Sequence, residues 1–485
     1  MINFRHSKPA SSPPAKRTAR AVVRRLVRVA LAAALAAAVV ASVLVAGIAT
    51  VGRDNGLESR PALPEETQPG GSGSANGPGR IRVAFVLGSS GTEAADVLAP
   101  YEVFATSPRF TVTTVAADRS PVRLAGAPAL VPAATFADID AGRAPAPDLL
   151  VVPAVVDPGG DGEEATRSWI ARQSARGIRI LGVCAGSMLL AEAGVLDGHR
   201  ATSHWSRISS LRESRPAVHW VTAQRFVQDG RITTTAGVTS GIPGALQLVH
   251  DLAGASEAAR VGAEIGYPGW STAKDTAIAE QAFNAGDATV VLNSVLPWFR
   301  PTVGIGLTDG IGELDAVAAF EVYTVSGAAR TVALAAAPIV RTKHGLVLLT
   351  TPLPSPGPHL DRLILPGSAA HDSGLLSWAR NRQLTPTALI QSPERGAFDV
   401  ALEELAGHAG NATATTTTKS IDYPTGRVHL DAHAADTRST WLLFLTAVLA
   451  AGAGALPSLL RRAPYFRGRK TRTPELEHVA RKDPS

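Results

Sequence analysis

Cys184 is the only cysteine among 485 residues, and it sits where sulfur chemistry is easiest to arrange. It follows the apolar run Ile178-Arg179-Ile180-Leu181, lies in Gly182-Val183-Cys184-Ala185-Gly186-Ser187, and precedes Met188-Leu189-Leu190-Ala191-Glu192-Ala193. A β-branched run that breaks at Gly-x-Cys-x-Gly and continues into good helix formers reads as strand, sharp turn and helix. That is the layout of a nucleophile elbow, with a thiol where a hydrolase carries serine. The two glycines let the turn tighten, and a helix N-terminus behind the sulfur favours the thiolate, the form in which cysteine attacks. The competing role is that of a small buried hydrophobe, a common fate of a lone cysteine. A single cysteine also excludes an intramolecular disulfide and any cysteine-based zinc site.

The elements around the elbow alternate. Ile81 to Leu87 reads as a first strand, Thr92 to Thr106 as a helix, Phe110 to Ala116 as a second strand, and Asp148 to Pro153 as a strand buried on both faces. Glu163 to Arg176 reads as a helix before the elbow strand. Strands separated by helices predict a flavodoxin-like α/β fold, a parallel sheet sandwiched by helices, with ligands outside the carboxyl ends of the strands. The elbow places Cys184 at that end.

In this order the segments resemble the ThiJ/PfpI family of the class I glutamine amidotransferase-like superfamily. The resemblance covers about residues 80–268. It rests on Asp96 to Phe104, on Val151-Val152-Pro153, on the elbow, on Ala201-Thr202-Ser203-His204-Trp205, and on Thr235 to Gly241. It is strongest to the amidotransferase-like domain of AraC-type regulators. The resemblance implies that Cys184 is a nucleophile or an oxidation-sensitive thiol. It also implies that Asp96 shares a proton or hydrogen bond with the sulfur, that His204 lies near as a base, and that the Ala185 N–H is an oxyanion donor. Two departures count against turnover. The late His-x-Glu pair of true glutamine amidotransferases is absent, and Pro153-Ala154-Val155 replaces Pro-Gly-Gly, which puts the second oxyanion donor in question. No cofactor and no metal ligand set is expected.

A second, truncated copy follows. Thr302 to Leu307 echoes the first strand, Asp315 to Tyr323 aligns with Asp96 to Phe104 at an offset of 219, and Asp361 to Gly367 matches Asp148 to Ala154. From Pro366 to Ala397 there are 31 positions, against 89 from Pro153 to Ile242. The elbow, its cysteine and the histidine segment have no counterpart, so Asp315 lacks a thiol partner and reads as a helix cap. Having lost its central elements, this copy is expected to pack against the first or to bind a partner. Thr415 to Thr418 reads as an exposed connection.

Two uncharged stretches flank this tandem. Val29 to Val51 runs 23 residues after Arg20, Arg24, Arg25 and Arg28, and Thr440 to Leu460 precedes Arg461 and Arg462. Each is long enough to cross a bilayer. The positive-inside rule then puts both termini in the cytoplasm and the domains outside it, at a cell membrane crossed twice. The net charge of +6 belongs to the tails: residues 1–28 hold eight Lys/Arg and no acid, and 461–485 hold eight against three acids, leaving about −7 between them. Direct nucleic-acid binding is therefore not expected.

The resulting organisation is a basic tail at 1–28, a membrane helix at 29–51, a Gly/Pro/Ser-rich linker at 52–79 and the cysteine domain at 80–270. A connector at 271–300, the degenerate copy at 301–426, a second membrane helix at 439–460 and a basic tail at 461–485 complete it. Expected partners are a small-molecule ligand or substrate, the membrane, and either a second chain in a dimer or the other copy within the chain. The main functional expectation is attack by Cys184 on a small electrophile such as a carbonyl, amide or isonitrile. The rival is a non-catalytic ligand-binding or redox-sensing module with a regulatory role.

Overall fold

The computed structural model of the chain describes residues 15–54, 79–267, 276–353, 359–392, 394–424, 428, 430 and 438–459. The first 14 residues, the tail from 460 onward and nearly all of the expected linker lie outside them.

The first copy begins with β1 (Ile81–Val86), whose last four residues are all buried. That is the pattern of a parallel strand covered on both faces. It continues with β2 (Phe110–Ala116), β3 (Val122–Leu124), β4 (Ala127–Leu130), β5 (Ala134–Thr135), β6 (Leu149–Val152) and β7 (Arg179–Gly182). The short strands β8 (Arg200–Ala201) and β9 (His219–Trp220) precede β10 (Phe226–Asp229) and β11 (Ile232–Thr235). Seven of these form one sheet in the order β10-β11-β7-β6-β1-β2-β5. Only the β10–β11 pairing is antiparallel. The expected α/β sandwich is present, and β7 delivers the elbow at its carboxyl end.

The second copy supplies β12 (Thr302–Gly306), β13 (Arg330–Ala335), β14 (Ile339–Arg341), β15 (Val347–Leu349), β16 (Thr351–Pro352), β17 (Arg362–Pro366) and β18 (Pro386–Leu389). Its sheet runs β16-β13-β12-β17-β18, all parallel. Set beside the first sheet, this is the same order without the β10–β11 edge. The copy has therefore not lost its centre. β18 stands where β7 stands, and the sequence hid it because Pro386-Thr387-Ala388-Leu389 is short and half polar, with only Leu389 buried. What is missing is the elbow after that strand, together with the outer edge.

The two copies share one core. The helices Ala94–Ala105 and Glu313–Ser326 pack against each other, flanked by Gly241–Ala253 and Ala397–Ala409. Phe85, Tyr101, Phe104, Phe320, Val322 and Phe398 belong to one buried cluster spanning both copies. A four-stranded sheet, β14-β15-β4-β3, is built half from each copy, with Leu348 paired to Leu130. The expected pairing of copies thus occurs within the chain.

The threonine tract is not an exposed connection. Asn411–Ser420 is a helix in which Thr413, Thr416, Thr417 and Thr418 are buried. Thr417 and Thr418 donate their hydroxyls to the carbonyls of Thr413 and Ala414, at 2.7 and 2.8 Å. That back-bonding lets a polar residue enter a core with its donor satisfied.

Two further helices, Ala15–Asp54 and Arg438–Leu459, carry apolar windows at Val22–Arg53 and Thr440–Pro457. Both windows are long and apolar enough to cross a membrane by length and composition. Within this pair a Cβ on Gly454 would touch the Ala32 carbonyl and the Ala36 methyl. Small residues permit that kind of close helix approach.

Candidate functional site

Cys184 sits at the apex of the expected turn. Its φ is +54°, a left-handed conformation that costs a residue with a Cβ about 1–2 kcal/mol. The turn is held by neighbours. Cys184 N–H donates to Thr235 Oγ1 at 3.1 Å, and its carbonyl accepts from Ser187 Oγ at 3.0 Å. The helix Gly186–Glu192 follows at once. Gly186 is obligatory here, because a Cβ would collide with the carbonyl oxygen of Val152. The thiol itself is buried, with Cys184 5% exposed.

The acids come from the helix Ala94–Ala105 and from the other copy. Asp96 is fully buried; Oδ2 accepts from Ala154 N–H at 2.9 Å, and Oδ1 has no partner. The strand-end amide suspected as a second oxyanion donor is therefore already taken by Asp96. Glu93 caps the same helix, accepting from Ala94 N–H. Glu321, from the second copy's helix, brings a carboxyl that is 1% exposed. It feels the charge of Glu93, and neither of its oxygens has a hydrogen-bond partner.

The electrostatics follow from this crowding. Burial, then the charge of Glu93, raises the Asp96 carboxyl well above the usual carboxylate range. Burial raises both Glu93 and Glu321 as well. The Cys184 thiol is pushed well up by burial and next by Asp96, against a smaller opposite pull from the Ala185 N–H. The thiol keeps its proton.

His204 is hydrogen-bonded away from this sulfur. Its Nε2–H donates to the Ser420 carbonyl at 2.8 Å, and Nδ1 pairs with Ser206 Oγ at 2.8 Å. These partners assign the neutral tautomer; burial lowers the ring's pKa, against a smaller rise from the Ser420 carbonyl. Both nitrogens are committed away from Cys184, so the imidazole ties the first copy to the end of the second. The structure thus brings Asp96 and Ala185 to the thiol but engages His204 elsewhere.

Glu93 and Glu321 were missed from sequence. The signal was available in the 219-residue offset, which pairs Glu321 with Glu102. What it did not reveal is the swap, in which each copy's glutamate enters the other copy's site.

The equivalent place in the second copy holds Glu313, Asp315, His344 and, from the first copy, Glu102. Asp315 is not a helix cap. It accepts from the side-chain amide of Gln391 at 2.6 Å, so Gln391, just beyond β18, stands where the thiol would be. Glu102 accepts from Leu314 N–H at 2.6 Å. Glu313 takes Thr342 Oγ1 at 2.5 Å, His344 N–H at 3.0 Å and the His344 ring at 2.8 Å. Among the described residues, Glu102, Glu313 and His344 form the one trio whose ligand atoms lie close enough, within 4.8 Å, to hold a metal ion. Their bonds to one another and to protein donors make them a closed network.

Known proteins similar to this chain match its first copy. The DJ-1/PfpI family pattern matches residues 81–251. The chain is 33% identical over 194 residues to an isonitrile hydratase of Pseudomonas putida, covering 39% of this chain and 78% of that protein. It is 39% identical over 114 residues to the HTH-type transcriptional regulator CdhR of Pseudomonas aeruginosa, covering 24% of this chain and 34% of the regulator. Among solved structures, a ThiJ/PfpI family protein from Pseudomonas syringae shares 28% identity. It covers 44% of this chain and 84% of that one, at a TM-score of 0.36.

Proposed function

The chain belongs to the DJ-1/PfpI family, and from that premise we propose that its folded part is a non-catalytic ligand-binding module with a regulatory role. The observation that carries this reading is the state of the thiol. Cys184 is buried among three acids, its proton is held, and no imidazole is bonded to it. A nucleophilic cysteine needs an adjacent base or a lowered pKa; here the thiol is pushed up by burial and by Asp96, and burial raises Asp96 as well. Likeness to an HTH-type transcriptional regulator supports a regulatory role.

A second reading keeps Cys184 as a nucleophile toward a small carbonyl, amide or isonitrile, with Asp96 moving the proton and Ala185 N–H meeting the developing anion. The strained backbone at the elbow favours it, because such strain persists where function requires it. So does likeness to an isonitrile hydratase. The full chain, in detergent, screened against all three electrophile classes beside Cys184→Ala, separates the two. We expect no turnover in either protein; turnover lost in the variant would establish the enzyme.

The organisation we propose is an intact domain at 80–270 and a degenerate one at 301–426, held at a membrane by helices at 29–51 and 439–460, with both termini cytoplasmic. The exposed Ser210 tests the topology. Ser210→Cys in a Cys184→Ala background should react with a membrane-impermeant maleimide on intact cells. Reaction only after permeabilisation would reverse the orientation.

A further inference from the structure

Between the two copies, Ala288 to Phe299 runs without a charged residue. Its first part is the helix Ala288–Val295. Ala288, Val291, Leu292 and Val295 fall at i, i+3, i+4 and i+7, which is one stripe of a helix. Ala288 and Val291 are exposed, and Leu292 and Val295 are half-buried. The helix packs on Glu313–Ser326 and Asn411–Ser420. Asn293 is buried on that side, its amide donating to the Ser326 carbonyl at 3.2 Å. The usual amphipathic order is thus reversed, with a polar residue turned to the protein and apolar residues turned out. Beyond the helix, Phe299 is 85% exposed. Its φ of +61° is a left-handed backbone unusual for an aromatic residue.

The same stretch holds the ends of both membrane helices. Residues Leu44 to Leu443 form one compact unit, which takes in the last turns of Ala15–Asp54 and the first residues of Arg438–Leu459. Gly47 is buried, and a Cβ there would run into the Val295 carbonyl oxygen. Arg438 donates to Asn293 Oδ1 at 2.8 Å and to the Trp298 carbonyl at 3.4 Å, just before the apolar window that opens at Thr440. The uncharged segment 29–51 is about 34 Å long as a helix, against a hydrocarbon core of about 30 Å. Gly47 then lies about 5 Å inside the core boundary. Val295 beside it is held at the depth where interfacial helices bury their apolar faces, about 5–10 Å.

From this placement we propose that residues 288–299 are a third membrane contact, with Val291 and Phe299 buried between headgroups and acyl chains in the leaflet where both helices emerge. The partner is a lipid bilayer surface. Two membrane helices fix the stretch at that depth, so the bilayer meets it whenever they are inserted. Because the stretch carries no charge, burial of apolar area supplies the attraction, and a zwitterionic bilayer suffices. The contact rests on the membrane organisation proposed above, and it brings this edge of the folded copies onto the bilayer.

The test uses the full chain in a Cys184→Ala background, one chain per phosphatidylcholine nanodisc. An environment-sensitive fluorophore is attached through Val291→Cys, Phe299→Cys, Val40→Cys or Ser210→Cys. Val40 marks the middle of the segment 29–51, and Ser210 is an exposed site of the first copy. Lipid with a nitroxide near the headgroup end of its acyl chain should quench the labels at 291 and 299 and leave the label at 210 bright. Lipid with a nitroxide at the methyl end should quench the label at 40. Labels at 291 and 299 no more quenched than the one at 210, with 40 quenched, would overturn the third contact and leave the membrane helices standing. An unquenched label at 40 would overturn the membrane organisation and this contact with it. Shielding of 291 and 299 from aqueous iodide only in discs holding two chains would assign the face to a second copy instead.

Discussion

The two copies bring the same acidic helix to a shared interface and treat its acids in opposite ways. At the first site Glu93, Asp96, Glu321 and Cys184 gather with few donors. Asp96 Oδ1 and both Glu321 oxygens are left without one. At the second site every acid is answered: Glu102 by Leu314 N–H, Glu313 by Thr342 and His344, Asp315 by Gln391. A network in which each member is satisfied fixes a structure, and one left partly open stores free energy at a cost in stability. The second copy uses the equivalent position as a fastener. The first has kept the strain and the unmatched carboxyls together.

The comparison breaks most easily at Glu313. Removing it strips Thr342, the His344 amide and the His344 ring of their acceptor in a buried place. Glu313→Ala should therefore cost about 3 kcal/mol, read by chemical unfolding of the detergent-solubilised chain. A loss well under 1 kcal/mol would mean that the second network is not a fastener.

The pH dependence sharpens the same contrast. Glu102 is raised from 4.5 to about 7, first by burial and then by Glu313, with Leu314 N–H and His344 pulling the other way and Asp315 adding to the rise. The folded state binds this proton more tightly than the unfolded state does. Its contribution is therefore complete below about pH 4.5 and is lost as pH rises through about 7. Between those values stability should fall with rising pH, and Glu102→Gln should flatten the slope. A slope unchanged in the variant would assign the effect to the first site's acids instead.

Much of this contrast was readable in advance, and the unread part has a physical pattern. β1, β2, β6 and β7 are β-branched, apolar runs bounded by turn residues, so their character is local. The elbow is likewise local, because Gly186 and the φ of Cys184 are demands of a single turn. Partners supplied by the other copy were not readable. Glu321 looks like an ordinary helix residue until the copies are docked, and Gln391 gains meaning only when β18 is seen beside β17. The partner of His204 was hidden for the same reason: the residue that claims its Nε2 is Ser420, 216 positions away.

Glu321 offers a smaller effect with two readouts. Glu321→Gln replaces an unmatched carboxyl with an amide that can donate to Glu93, and it removes one of the charges that opposes ionisation of Cys184. Stability near neutral pH should rise by about 1 kcal/mol, one net hydrogen bond. Alkylation of Cys184 by iodoacetamide should quicken several-fold, since the thiolate is the reacting form. If stability rises while the alkylation rate stays fixed, Glu321 bears on packing and not on the thiol.

The smallest expected difference concerns the elbow. At an ordinary helical position glycine is worse than alanine by about 1 kcal/mol. At Cys184 the order should reverse, because φ +54° is open to glycine and strained for any residue with a Cβ. Both Cys184→Ala and Cys184→Gly lose the buried sulfur, so that loss cancels to within one methyl group when the variants are compared. The remainder is chiefly the strain, and Cys184→Gly should be the more stable by about 1 kcal/mol in thermal unfolding. Gln391 supplies the control, since it has no left-handed φ and Gln391→Gly should fall below Gln391→Ala. If both positions rank alanine first, the first copy is not holding strain at its elbow, and the enzyme reading loses the backbone feature that favours it.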